Sequence, residues 1–127
     1  MDLQYLLPVP FLDQGRDLSG LDCWGLAIEV FKQFGQELPD FRIKSDDEFN
    51  IDAMAIYKMR TWPRVDNPSN SDAPLIVAIK NNPKLVNHVG VYIGDGRIIH
   101  IMKKTGVTIQ KIEPFLKPRI AGFFKLC

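Results

Sequence analysis

The apolar residues of this 127-residue chain change their period once, and that change restricts the folds open to it. Cys23, Ala27, Val30, Phe31 and Phe34 recur at helical spacing and share one face. Asp22 stands where an N-cap belongs and Gly35 where helices commonly stop, so the pattern predicts a helix over 23–34. From Leu75 onward the apolar residues fall into five short strand-like runs, at Leu75–Ile79, 86–93, 97–102, 107–112 and 119–126. Gly94-Asp95-Gly96 marks a hairpin turn between the second and third runs. Helices followed by sequential antiparallel strands predict an α+β fold, with N-terminal helices packed on an antiparallel sheet of about five strands. Alternating βαβ units do not fit this order.

The remaining segments fill in that outline. Residues 1–22 read as an irregular lead-in. Ser45-Asp46-Asp47-Glu48 is a capping-box sequence ahead of Phe49, Ala53, Ile56 and Met59, predicting a second helix to about Met59. Residues 61–74, with three prolines, read as a loop in which Trp62 is an anchor and Asp66 and Asp72 are solvated. The length suits one domain, 1–127, and 46% hydrophobic residues are enough for a modest core.

Charge and hydropathy exclude several function classes. Sixteen Lys and Arg against fifteen Asp and Glu leave no basic excess for nucleic acid. No stretch is apolar for the roughly 18 residues a membrane span needs. The run at 3–12 is broken by Pro8 and Pro10, follows Asp2 and lacks a cleavage site, so it does not read as a secretory signal. Synthesis in the cytoplasm is the expectation, and a role outside the cell would need another carrier. Cys23 and Cys127 are too few for a disulfide framework, although one bridge between them is not forbidden by their separation. Near a terminus expected to fray, Cys127 reads as an idle free thiol.

The candidate chemistry rests on one cysteine and the two histidines of the chain. A thiol at the first turn of a helix meets unpaired N–H groups and the positive end of the helix dipole, which lowers its pKa. The same N–H groups could hold an oxyanion. Cys23 equally fits the buried face of its helix as a structural residue. Along 86–93, alternation puts Val89, Val91 and Ile93 on one face and His88, Gly90 and Tyr92 on the other. A three-residue loop 94–96 would pair Ile93 with Arg97, Gly90 with His100 and His88 with Met102. Both histidines then lie on one face as diagonal neighbours, roughly 7–8 Å apart. A two-residue loop would put His100 on the opposite face. Gly90 leaves room for another element, expected to be the Cys23 helix. A cysteine, a histidine base and a second polar group to orient it follow the logic of thiol hydrolases. A zinc site from the same three residues lacks a fourth ligand and any CxxC or HxxxH spacing, so neither metal nor cofactor is expected.

Gly20-Leu21-Asp22-Cys23-Trp24-Gly25-Leu26, Phe34-Gly35, Leu38-Pro39-Asp40, 88–96 (His-Val-Gly-Val-Tyr-Ile-Gly-Asp-Gly), His100 and 119–124 together resemble the NlpC-like cysteine peptidases. The Asp-Cys-Trp-Gly-Leu form is similar to the branch found in phage and prophage tail-assembly proteins. The resemblance implies a papain-like fold and hydrolysis of an amide bond in the peptide stem of peptidoglycan, with other tail proteins as further partners and association with the virion. It implies Cys23 as nucleophile, His88 as general base and His100 as the group that orients His88. Asp22, at the N-cap, is also a candidate contact to a substrate amine. Trp24 stands where the cell-wall branch has a small polar residue that helps bind substrate, and Tyr5 is the candidate for an upstream tyrosine that supports the oxyanion. The competing reading is a structural tail-assembly protein that keeps the fold without turnover. Ala27, Val30, Phe31, Phe34, Val89, Val91, Ile93, Ile99 and Phe123 are expected in the core.

Overall fold

The computed structural model describes residues 2–40, 62–80 and 88–126. The predicted helix over 45–59, the first two residues of the run 86–93, and Cys127 lie outside the described residues.

The lead-in is closed by a short antiparallel ribbon, β1 (Arg16–Asp17) with β2 (Gly20–Leu21). Helix α1 (Cys23–Gln33) starts one residue after β2, because Asp22 adopts an extended backbone and its carboxylate accepts the Gly25 N–H at 2.7 Å. The helix stops at Phe34. Gly35 takes a φ of 78°, and the N–H groups of Gly35 and Gln36 donate back to the carbonyls of Lys32 and Phe31. The inner face of α1 carries Leu26, Ala27, Val30 and Phe31, all buried. Burial of Val30 and Phe31 contributes roughly 1.5–3 kcal/mol each.

Five strands follow: β3 (Leu75–Ile79), β4 (His88–Gly94), β5 (Arg97–Met102), β6 (Gly106–Lys111) and β7 (Ile120–Phe124). They form one antiparallel sheet in the order β6-β5-β4-β3-β7. The last strand is shorter than its apolar run because Arg119 ends a 3-10 turn over Lys117–Arg119. Helix α1 packs on one side of the sheet, against Ile76, Val89, Val91, Ile99 and Ile101. A second cluster of Leu75, Val77, Ile79, Tyr92, Ile98, Ile112 and Leu116 covers the other side. With both faces covered, β3 is buried along its whole length, which explains its uninterrupted apolar sequence. Ala27, Val30, Phe31, Val89, Val91 and Ile99 are buried as expected, whereas Phe34, Ile93 and Phe123 are half-buried at the margins of the two clusters.

The hairpin between β4 and β5 departs from the expected loop. Asp95 and Gly96, with φ of 55° and 67°, make a two-residue turn of the type I′ kind, and Gly94 rather than Ile93 pairs with Arg97. A bulge between Tyr92 and Gly94 adds one residue to β4, so the pairs Val91–Ile99 and Tyr92–Ile98 keep the expected register. The bulge cancels the change of face that a two-residue loop alone would impose. A 3-10 turn at Asn70–Asp72 braces the hairpin: Asn70 Nδ2 donates to Asp95 Oδ1 at 2.8 Å, and the Asp95 N–H donates to Asn70 Oδ1 at 2.7 Å. Asp72 is not merely solvated, since its Oδ2 accepts the Ser69 N–H at 2.7 Å in a capping box.

Candidate active site

The bulged register brings the two histidines together. His88 opens β4, His100 lies in β5, and His88 Nε2 is 3.0 Å from His100 Nδ1. The ring centroids are 5.2 Å apart with the planes inclined by 57°. Gly90 makes this possible, because a Cβ there would stand 3.1 Å from the Cβ of His100. The space was expected to admit the Cys23 helix. Instead the His100 side chain takes it, and α1 packs on the side of Val89 and Val91.

Cys23, the first residue of α1, is 4% exposed. The N–H groups of Val89 and Trp24 lie within hydrogen-bonding reach of its sulfur. Val89 is the residue after His88, and it lies beyond the last β4–β5 pair, Val91–Ile99. Helix start and histidine strand therefore meet at the His88 end of β4.

Burial governs the charges here. The Cys23 thiol is pushed up to about 12, first by loss of water and then by the Asp22 carboxylate, against the pull of the Val89 and Trp24 N–H groups and Arg16. This reverses the lowering expected at a helix start: desolvation of the thiolate outweighs the dipole. His88 is pushed down to about 3 by burial, then by His100 and the Arg119 guanidinium. His100 is lowered by burial and by Arg119, while its bond to Gln110 works the other way. The Cys23 thiol and the two imidazoles therefore all rest neutral.

Three sequence candidates sit elsewhere. Asp22 is fully buried, with its oxygens taken by the Gly25 N–H, the Gln14 N–H at 3.1 Å and Arg16 Nη1 at 2.7 Å, so it caps and pairs rather than meeting a substrate amine. Trp24 is 1% exposed and its indole N–H donates to the Pro39 carbonyl at 2.8 Å, which ties the chain after α1 back to its first turn. Tyr5 donates to Glu29 Oε1 at 3.0 Å, six residues along α1 from Cys23, which places its hydroxyl away from the oxyanion position. Gln110 was not foreseen: its Oε1 lies 3.0 Å from His100 Nε2. It stands on β6 two residues past Thr108, the partner of His100, and only the strand register could have found it. Arg16 was missed as well. It bridges Asp22 and Asp40, with Nε 2.9 Å from Asp40 Oδ1. Among the described residues no group of three or more His, Cys, Asp or Glu is arranged to hold a metal, and no helix is long and apolar enough to cross a membrane.

The family model described as the NlpC/P60 family matches residues 8–124. The chain belongs to the NlpC/P60 family. It is 28% identical over 106 residues to a γ-D-glutamyl-L-lysine dipeptidyl-peptidase of Bacillus subtilis (strain 168), covering 84% of this chain and 31% of that protein. It is 28% identical over 107 residues to the murein DD-endopeptidase MepS/murein LD-carboxypeptidase of Escherichia coli K12, covering 83% of this chain and 49% of that protein. The chain thus spans less than half the length of either relative. Among solved structures, an NlpC/P60 family protein from Bacillus cereus ATCC 10987 superposes with a TM-score of 0.65 at 26% identity, over 94% of this chain and 36% of that one. The NlpC/P60 fold accounts for helix α1 packed on a five-stranded antiparallel sheet.

Proposed function

We propose that this chain is a cysteine-dependent hydrolase of amide bonds in the peptide stem of bacterial peptidoglycan, with Cys23 as nucleophile, His88 as base and His100 as its orienter. The observation that carries the reading is the 3.0 Å contact between His88 Nε2 and His100 Nδ1 beside the start of α1. The family and the peptidase names of two relatives support the reaction class and the substrate.

In this mechanism the Cys23 sulfur attacks the scissile carbonyl while its proton passes to His88. The tetrahedral oxyanion takes a hydrogen bond from the first backbone N–H of α1, that of Cys23, since the Gly25 N–H is held by Asp22. His88 then returns the proton to the leaving amine, and water hydrolyses the thioester with His88 again as base. Because the resting pair is neutral, attack and proton transfer are concerted rather than starting from a preformed thiolate. The Val89 N–H stabilises charge that develops on sulfur.

A finer part of the proposal is that the protein serves a phage or prophage tail. Its support is the Asp22-Cys23-Trp24-Gly25-Leu26 form, in which Trp24 packs inside instead of offering a polar contact to substrate. A second reading, a tail-assembly protein without turnover, is favoured by one observation: the thiol is almost completely buried and held protonated. Digestion of purified peptidoglycan separates the two. Release of stem-peptide fragments by the wild type and none by folded Cys23→Ala is the expected result. Equal release by both would refute the thiol mechanism, and release by neither would favour the assembly reading.

A further inference from the structure

The hydrogen-bond chain does not end at the second histidine. His88 Nε2 meets His100 Nδ1, and His100 Nε2 meets Gln110 Oε1, each at 3.0 Å. An amide oxygen can only accept, so His100 Nε2 must carry a hydrogen. A neutral imidazole has a single N–H, which leaves His100 Nδ1 a bare acceptor. His88 Nε2 must then be the donor to it, and His88 Nδ1 is left unprotonated. The hydrogens of both rings are thus set from one side chain on β6, an edge strand of the sheet.

We infer that Gln110, with its amide oxygen rather than its NH2 turned toward His100, is a positioning residue that sets the tautomers of both histidines and so makes Nδ1 of His88 the proton acceptor. The inference rests on the proposed hydrolase reading for its catalytic meaning, though not for its geometry. The thiol proton moves to His88 Nδ1 as the sulfur attacks the scissile carbonyl, giving an imidazolium and a tetrahedral oxyanion, while the Nε2 hydrogens of His88 and His100 stay where they are. As positive charge develops on His88, His100 Nδ1 and then Gln110 Oε1 face it through aligned N–H dipoles. Were the last residue a donor, every hydrogen in the chain would reverse, and His88 would present an N–H where a base is needed.

Four charged or polar groups bear on this chain and on Cys23 from the elements around them. Arg119 faces both histidines from the turn before β7 and disfavours a proton on either. Asp22 and Arg16 act on Cys23 at the start of α1. Gln110 is the one whose hydrogen bond favours protonation of His100. It is exposed on its strand, so its replacement leaves the core intact.

The test combines nitrogen NMR of histidine-labelled protein with the peptidoglycan digestion. In the wild type, both histidines should show a protonated Nε2 and a bare Nδ1. Gln110→Leu should mix the tautomers of His100 and His88 and lower turnover by about 10–100-fold, the range seen when the partner that orients a metal-bound histidine is lost. Gln110→Glu keeps an acceptor, so it should restore the wild-type tautomers and recover turnover relative to Gln110→Leu. Its negative charge should also move the acidic limb of the pH–rate profile upward. A wild-type His88 protonated on Nδ1, or Gln110→Leu with unchanged tautomers and turnover, would overturn the inference. Wild-type protein with the expected tautomers but no hydrolysis would sink the hydrolase reading and leave the tautomer lock standing.

Discussion

Asn70 and Asp95 clasp each other across the mouth of the β4–β5 hairpin through two hydrogen bonds, the Asn70 amide donating to the Asp95 carboxylate and accepting the Asp95 N–H. The turn between the two histidine strands is thereby fixed from outside the sheet. Asn70→Ala should lower stability by about 1–2 kcal/mol, the sum expected for two modest hydrogen bonds at an exposed site. It should also loosen the His88–His100 contact. Urea unfolding measures the first effect, and histidine ring NMR the second. A variant as stable as the wild type would mean the clasp is incidental.

Mutation should separate the roles of the three site residues. Cys23→Ala should abolish fragment release, because no acyl-enzyme can form. His88→Ala should cost on the order of 10²–10⁴-fold, the usual contribution of a general base. His100→Asn should be much milder than His100→Ala, since an amide oxygen can still accept the His88 Nε2 hydrogen. Equal damage by the two His100 variants would remove the orienting role.

Acid should destabilise this fold through His88. Its folded-state pKa, about 3, lies below the ordinary value of 6.5, so between these two values the unfolded chain binds a proton that the folded chain excludes. Stability is therefore at its full value above pH 6.5 and falls as pH drops toward 3, with a slope of up to about 1.4 kcal/mol per pH unit. Thermal melts from pH 8 to 4 should show the loss, and His88→Gln should flatten it. A wild-type curve flat across that range would contradict the neutral buried imidazole.

The Cys23 thiol should alkylate slowly at neutral pH in the absence of substrate. Burial to 4% exposure and a pKa near 12 both oppose attack by iodoacetamide. The rate for Cys23 is read as the difference between wild type and Cys23→Ala, whose remaining thiol is Cys127. Rapid loss of the Cys23 thiol at pH 7 would restore the activated-thiolate picture that the helix position alone suggested.

Asp22→Ala should act on stability and not on substrate affinity. Its carboxylate is the N-cap of α1 and the buried partner of Arg16. Removal should cost about 3 kcal/mol, in the range for breaking a buried charged pair. A normal melting temperature combined with a raised KM would return Asp22 to the binding surface.

The outline of this structure is legible in the residues because periodicity reports burial directly. The helix from Cys23 ends where Gly35 predicts, and β3 and β5 begin and end where their apolar runs do. Site geometry was only partly legible. The shared face of His88 and His100 was anticipated, but by way of a three-residue loop, whereas the chain uses a shorter turn and a bulge. Both place the same number of residues between Tyr92 and Ile98, so alternation of side chains does not distinguish them. Partners fixed by strand register, such as Gln110 for His100, carry no local signature. The N-cap role of Asp22 was legible, but the inward packing of Asp22 and Trp24 was not, because only tertiary contacts with Arg16 and Pro39 reveal it.

The bulge between Tyr92 and Gly94 turns parity into chemistry. Ile98, Ile99 and Ile101 flank His100, and both sides of β5 are buried. Losing one residue at the bulge would send Ile98 to the α1 side and Ile99 and Ile101 to the other, so each side would keep an isoleucine and the strand could still pack. His100 would pass to the α1 side, out of reach of His88. A one-codon deletion there is thus a lesion invisible to hydrophobicity, able to spare the fold while dismantling the site. The hairpin that hosts the two histidines should accept changes of side chain far more readily than changes of length.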